Sequence, residues 1–232
     1  MGAEMITQRE DTARTRKSLL DAAGEIFAEK GYRDATIAEI CGRAGTNIAA
    51  VNYHFGNKET LYVEAWRCAF NQSLKAHPPD GGVSEDAPPE DRLRAHVTAT
   101  VRRMADKNNK EFWFVQREFA NPTGLLGEVM RQEIYPLQKR IQGLVREILG
   151  PHVSDGDVQF CETSIISQCV NPMVAGRKTK SQATGKGGPP QIMDIAAYAD
   201  HVVKFSQAGM QAIRENAELK TSYAKRTKES KR

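Results

Sequence analysis

The chain has 232 residues, with 33 Lys and Arg against 29 Asp and Glu and a formal charge of +4. That length suits one small headpiece and a larger body. No apolar run is long enough to span a membrane, and the N-terminus lacks the apolar core of a signal peptide, so a cytoplasmic protein without a membrane role is expected.

A first helix is expected from about Thr12 to Lys30, with Leu19, Ala23, Ile26 and Phe27 inward and Gly31 closing it. The most informative stretch follows, from Thr36 to Leu61. Thr36 and Glu39 have the spacing of a capping box. The helix they start runs to Ala44, and Gly45 stops it by tolerating a left-handed exit. Asn47 supplies a second N-cap, for a helix from Ile48 to His54, and Asn57 a third, for a helix from Lys58 to about Ala76. Two short helices across a tight turn form a helix-turn-helix, whose second member enters the DNA major groove.

Side-chain types fit that geometry. Ile37, Ile40, Cys41 and Ala44 make one apolar stripe, which Val51 and Phe55 on the next helix can cover. Asn47, Ile48, Ala49, Ala50, Asn52 and Tyr53 are left facing outward. An asparagine can pair with adenine N6 and N7, Ile48 suits a thymine methyl, and alanines let backbone approach phosphate. Tyr53, His54 and Lys58 are candidate phosphate contacts, Lys58 at a helix N-terminus that itself favours anions.

These residues resemble the TetR family of transcriptional regulators over roughly residues 12–72. The most specific parts are Thr36-Ile37, Ala44-Gly45, Tyr53-His54-Phe55 and Asn57-Lys58-Glu59 with Leu61. The resemblance implies that Thr36, Asn47, Ile48, Ala49, Ala50, Asn52, Tyr53, His54 and Lys58 touch DNA. Thr46 stands where the family usually has a hydrophobic residue, and Asn52 where it often has tyrosine. The second departure alters a base-reading position, so no relative's operator can be carried over.

Charge supports this reading only locally. Residues 1–58 hold eight Lys/Arg and eight Asp/Glu. The excess lies at Arg177, Lys178, Lys180 and Lys186, and in six basic residues against two acids over 217–232. That tail, residues 219–232, reads as a solvated, frayed end. Arg9, Arg14, Arg16 and Lys17 cluster where a phosphate backbone would run.

The rest reads as helical, which makes the protein all-α: a DNA-binding headpiece at 12–72 and an effector-binding and dimerisation body at 73–218. His77 to Pro89 is a proline- and glycine-rich loop. Leu93, Val97, Val101 and Met104 mark a helix, Asp106 to Lys110 a turn, and Phe112 to Ala120 a helix ended by Asn121-Pro122. Leu125 to Leu149 is periodic, with Pro136 kinking or dividing it. Val158 to Val170 is followed by a loop from Asn171 to Pro190, then by a last helix from about Ile192 to Ala217.

Ile195, Ala199, Val202, Ser206, Gly209 and Ile213 on that last helix repeat at coiled-coil spacing. The family resemblance implies a homodimer built from the last two helices of each subunit, which would set two reading helices about one DNA turn, or a small multiple, apart on a palindromic double-stranded operator. Met104, Trp113, Phe114, Gln116, Arg117, Met130, Cys161 and Gln168, with Phe119 and Met173, are candidate contacts for a small-molecule effector, since apolar groups with a few polar ones suit a ligand cavity. They suit an ordinary core equally well. The run from Arg117 to Pro122 is similar to the CecR-type subgroup, which implies a hydrophobic or aromatic effector.

Other classes find little support. No Gly-rich phosphate loop, G-x-S-x-G or H-E-x-x-H occurs, so no enzyme and no cofactor are expected. Cysteines 41, 68, 161 and 169 form no C-x-x-C pair and read as buried apolar residues. A redox or metal role for Cys161 and Cys169 is the alternative. A DNA-binding architectural protein without a ligand is a further one, although the body exceeds what dimerisation alone requires.

Overall fold

The computed structural model describes residues 2–178 and 192–229. Among these residues it contains nine α-helices and no strand, in agreement with an all-α class. They are α1 (Gly2–Asp34), α2 (Ile37–Ala44), α3 (Ile48–Phe55), α4 (Lys58–Ala76), α5 (Pro89–Ala105), α6 (Lys110–Ala120), α7 (Gly127–Leu149), α8 (Asp155–Lys178) and α9 (Ile195–Glu229). No helix among the described residues is long and apolar enough to cross a membrane.

Three helices run further than the sequence suggests. α1 begins at Gly2 instead of Thr12 and breaks where expected, at Gly31, whose φ of 79° and ψ of 178° leave the helical region. α8 does not stop at Asn171; it continues through Pro172 to Lys178. A proline removes one backbone hydrogen bond without necessarily ending a helix. The rest of the expected loop, 179–191, lies outside the described residues. α9 passes Ala217 and reaches Glu229, so most of the basic tail is helix, and 230–232 lie outside the description. Pro136 likewise sits within an unbroken α7.

The chain forms two compact units. One contains the residues up to Ala76 together with Lys107–Tyr135; the other contains His77–Asp106 and Pro136 onward. The headpiece therefore takes in more than its helix-turn-helix, because α6 packs with α1 and α4, and Arg67 of α4 pairs with Glu133 of α7 at 2.9 Å. An aromatic cluster explains this. Phe27 meets Tyr62 edge-on at 4.8 Å and Phe114 at 6.1 Å, while Tyr62 and Phe114 lie 5.4 Å apart. All three are fully buried. Such pairs add about 0.5–1.5 kcal/mol each beyond their burial.

Polar ties reinforce the same packing. Lys110 pairs with Glu25 at 3.2 Å, and the Arg117 guanidinium donates to the Glu29 carbonyl near the end of α1. The Glu118 carboxylate accepts from Tyr62 Oη–H at 3.2 Å and from the Thr123 and Gly124 N–H groups at 2.9 and 3.0 Å. Burial, then the Glu118 charge and hydrogen bond, raise the Tyr62 phenol's pKa.

In the second unit α9 packs on α5 and α8. Leu93, Val97, Val101, Val158, Ile165, Cys169, Val202 and Val203 form its core. His96 is buried there, and its Nδ1–H donates to the Pro79 carbonyl at 3.1 Å, which fastens the loop to α5. Burial pushes its pKa down to about 4; the Pro79 bond opposes that, and Arg103 and Arg140 assist it.

This has a defined pH signature. The unfolded chain takes a proton on His96 near pH 6.5, whereas the folded chain resists until about pH 4. Stability is therefore full above about pH 6.5 and falls between there and about 4, by roughly 3 kcal/mol at most. His96→Leu is expected to remove this component. Urea unfolding at several pH values checks it, through a smaller wild-type advantage at pH 4.5 than at pH 7.5.

Candidate nucleic-acid interface

The helix-turn-helix is assembled by the caps that the sequence signals. Thr36 Oγ1 accepts from the Glu39 N–H at 3.2 Å, and Glu39 Oε2 accepts from the Thr36 N–H at 3.1 Å. Gly45 ends α2 with φ at 66°, and the Thr46 N–H returns to the Cys41 carbonyl at 3.0 Å. Asn47 Oδ1 then caps α3 by accepting from the Ala50 N–H at 3.1 Å, and Asn57 Oδ1 does the same for the Thr60 N–H at 2.8 Å. Each such cap is worth about 1 kcal/mol.

Burial divides α3 lengthwise. Val51 and Phe55 are closed against α2, where Ile40 and Cys41 are also buried. Asn47, Ile48, Ala49, Asn52 and Tyr53 are exposed, Ile48 by 53% and Tyr53 by 78%. Ala50 and His54 are half-buried, with the His54 ring edge-on to Tyr53 at 4.9 Å. An isoleucine and a tyrosine this exposed on a helix of eight residues mark a face shaped for a partner.

The side chains are not equally available. The Asn47 carbonyl oxygen already accepts the Ala50 N–H of its cap, which fixes the side chain's orientation and leaves one lone pair and the amide N–H groups for a ligand. Spanning adenine N6 and N7 through Asn47 would make its oxygen serve the base and the cap at once. The Asn52 side chain keeps both donor and acceptor. Thr36 is similarly engaged, its hydroxyl lying 3.0 Å from Glu39 Oε2. The Lys58 ammonium rests 4.5 Å from the centroid of the Tyr32 ring, and burial lowers its pKa while Asp34 and Glu59 oppose that.

Arg14, Arg16 and Lys17 of the N-terminal cation cluster are also partnered. Arg14 pairs with Asp11 at 2.9 Å, Arg16 with Glu64 at 3.2 Å and Lys17 with Asp21 at 3.1 Å. Arg16 lies over the Phe55 ring, 5.1 Å from its centroid, and so braces the end of α3.

The effector candidates do not converge within one unit. Trp113, Phe114, Gln116, Arg117 and Met130 belong with the headpiece, and Met104, Cys161 and Gln168 with the body. Phe114 lies inside the aromatic cluster, and Arg117 is spent on the end of α1. The Gln168 amide donates to the Ser164 carbonyl. Phe119 is 75% exposed, and the Met173 side chain lies outside the described residues. Cys41, Cys161 and Cys169 are buried free thiols, and burial raises Cys169 to about 12, which keeps it protonated.

The α9 seam residues divide by burial. Ala199, Val202 and Ser206 are buried within the protomer, against α5 and α8; only Gly209 is exposed, with Ile195 and Ile213 half-buried. Small residues spaced along a helix signal close approach without naming the helix approached. Here α9's own neighbours take that place.

Residues 19–65 match the model of the bacterial regulatory proteins of the tetR family, and residues 89–210 match that of the C-terminal domain of the HTH-type transcriptional dual regulator CecR. The chain belongs to the TetR family, with a CecR-like body. The CecR regulator of Shigella flexneri is 31% identical over 150 residues, which cover 60% of this chain and 67% of that one. A negative transcriptional regulator of the biofilm operon icaADBC, IcaR of Staphylococcus aureus, is 32% identical over 53 residues, covering 23% of this chain and 28% of that one. The structure of FadR, a fatty acid degradation regulator from Bacillus halodurans, superposes with a TM-score of 0.62 at 16% identity, covering 84% of this chain and 95% of that one. The protein is accordingly a DNA-binding transcriptional regulator, and its relatives are regulators rather than enzymes.

Tyr53→Ala is expected to weaken operator binding by at least about 1 kcal/mol, and Asn52→Ala to relax base preference at one position. Gel shifts on a set of single-base operator variants check both; unchanged affinity and preference would remove α3 from the interface.

Proposed function

We propose that the chain is a cytoplasmic, homodimeric repressor that releases a palindromic operator when a small hydrophobic or aromatic effector binds. The observation that carries this reading is the α3 face, where Ile48, Asn52 and Tyr53 stand in solvent on a helix otherwise pinned by Val51 and Phe55. The negative role named for the Staphylococcus aureus relative supports repression. The dual role named for the Shigella flexneri relative leaves room for activation at some promoters.

Support for the dimer comes from the outer side of α8 and α9. Phe160 and Phe205 are 68% and 63% exposed there, beside an open groove of about 180 Å³ that Ser164, Gly209 and Ile213 help to line. Two phenylalanines on one open groove are costly to leave in water, and a second copy of the same face would cover them. Gly209 has no atom within 4 Å of an added Cβ, so its openness belongs to this outer face.

Effector action follows from linkage: a ligand releases DNA only to the extent that it prefers the conformation that fits DNA poorly. α4 ends at Ala76, where the chain first passes from one unit to the other, which suits it as a lever. Selection of bound sites from random DNA, followed by a screen for small molecules that release the selected site, tests the reading as a whole. For the assembly, Gly209→Leu is expected to leave the monomer folded and to overpack the interface. Sedimentation at micromolar concentration should show monomer; a variant that stays dimeric would exclude this face.

A further inference from the structure

α9 carries a second seam, which shares Gly209 with the one turned into the body. Phe205, Gly209, Ala212, Asn216, Leu219 and Tyr223 follow one another at intervals of 4, 3, 4, 3 and 4, and all six are exposed. The stripe is about 27 Å long at 1.5 Å per residue. Its first half borders the groove described above; its second half lies on the part of α9 beyond Ile213. There Leu219 and Tyr223 are 58% and 68% exposed, and little of the helix is buried against its own protomer. A lone stretch of fifteen or so residues is marginal as a helix in water, so this one calls for a partner.

We propose that this stripe pairs with the same stripe of a second copy as a parallel, in-register coiled coil that lengthens the dimer contact. The inference rests on the dimer reading above and adds a segment to it. In heptad terms Gly209, Asn216 and Tyr223 occupy a, and Phe205, Ala212 and Leu219 occupy d. Glu215 then falls at g and Lys220 at e. In a parallel pair, g of one helix faces e of the other five residues on. Glu215 of each copy thus meets Lys220 of its mate, and the two-fold gives that pairing twice. Both side chains are exposed, and among the described residues Glu215 bonds along its own helix, accepting from the Gln211 amide at 2.9 Å. Asn216 at a is the second mark. A single polar residue at that position pairs with itself across a two-stranded parallel seam and penalises other registers and orientations. An antiparallel arrangement would leave it against apolar groups and lose the reciprocal charges. The charge pattern and the polar a-position therefore select the same occupant, another α9 running in the same direction.

Disulfide trapping in the full-length protein tests this. Cysteines at an a position of a parallel pair come within bonding distance. Asn216→Cys should convert to a covalent dimer under mild oxidation. Wild type, whose thiols are buried or half-buried, and Glu218→Cys on the outer flank should not. In parallel, Glu215→Lys and Lys220→Glu should each raise the dimer dissociation constant severalfold at low salt, and combining them should restore it. These positions are exposed, so circular dichroism should show unchanged folding. A protein that sediments as a dimer but gives no Asn216→Cys crosslink overturns the coiled coil and spares the groove-centred dimer. Equal crosslinking at 216 and 218 reflects collision and also overturns it. A monomer in sedimentation overturns both readings.

Discussion

The meeting of Phe27, Tyr62 and Phe114 inside the headpiece is the constraint from which the rest of the DNA-binding half follows. Each ring comes from a different helix, α1, α4 and α6, and all three are sealed from water. With α1 and α4 locked, the two short helices between them have one way to settle, apolar stripe inward. The reading face is what remains outside. An eight-residue helix has little intrinsic stability. α3 is held by its caps and by Val51 and Phe55, so its outer residues are free to be chosen for DNA.

Much of this was legible in the sequence because the signals are local. A capping box, a glycine at the turn and a capping asparagine act within four residues of themselves, and Thr36, Gly45, Asn47 and Asn57 do what their spacing announces. The share of α6 in the headpiece was not legible. Arg117 meets Glu29, and Phe114 meets Phe27, across more than eighty residues, and no periodicity records a partner that far away. Charge patterning also says nothing of pairing: Arg14, Arg16 and Lys17 stand beside Asp11, Glu64 and Asp21, acids that their spacing does not single out.

α9 shows how one helix can carry two overlapping patterns. Ala199, Val202 and Ser206 satisfy a heptad and belong to the protomer's own core; Phe205, Ala212 and Leu219 satisfy another and face water. Spacing alone cannot rank them, because both have the period of a helix packed on a helix. Burial separates them at once. Local spacing is equally silent on Met104 and Trp113, which are close in sequence and belong to different compact units.

The Asn47 cap bears on how operator preference can change over evolutionary time. Its carbonyl oxygen holds the first turn of α3 in place, so replacement there trades helix integrity against contact with DNA. Asn52, one turn further on, carries no such duty. New binding sites can therefore be explored by drift at the latter position at little thermodynamic expense, while the former stays anchored by its architectural role.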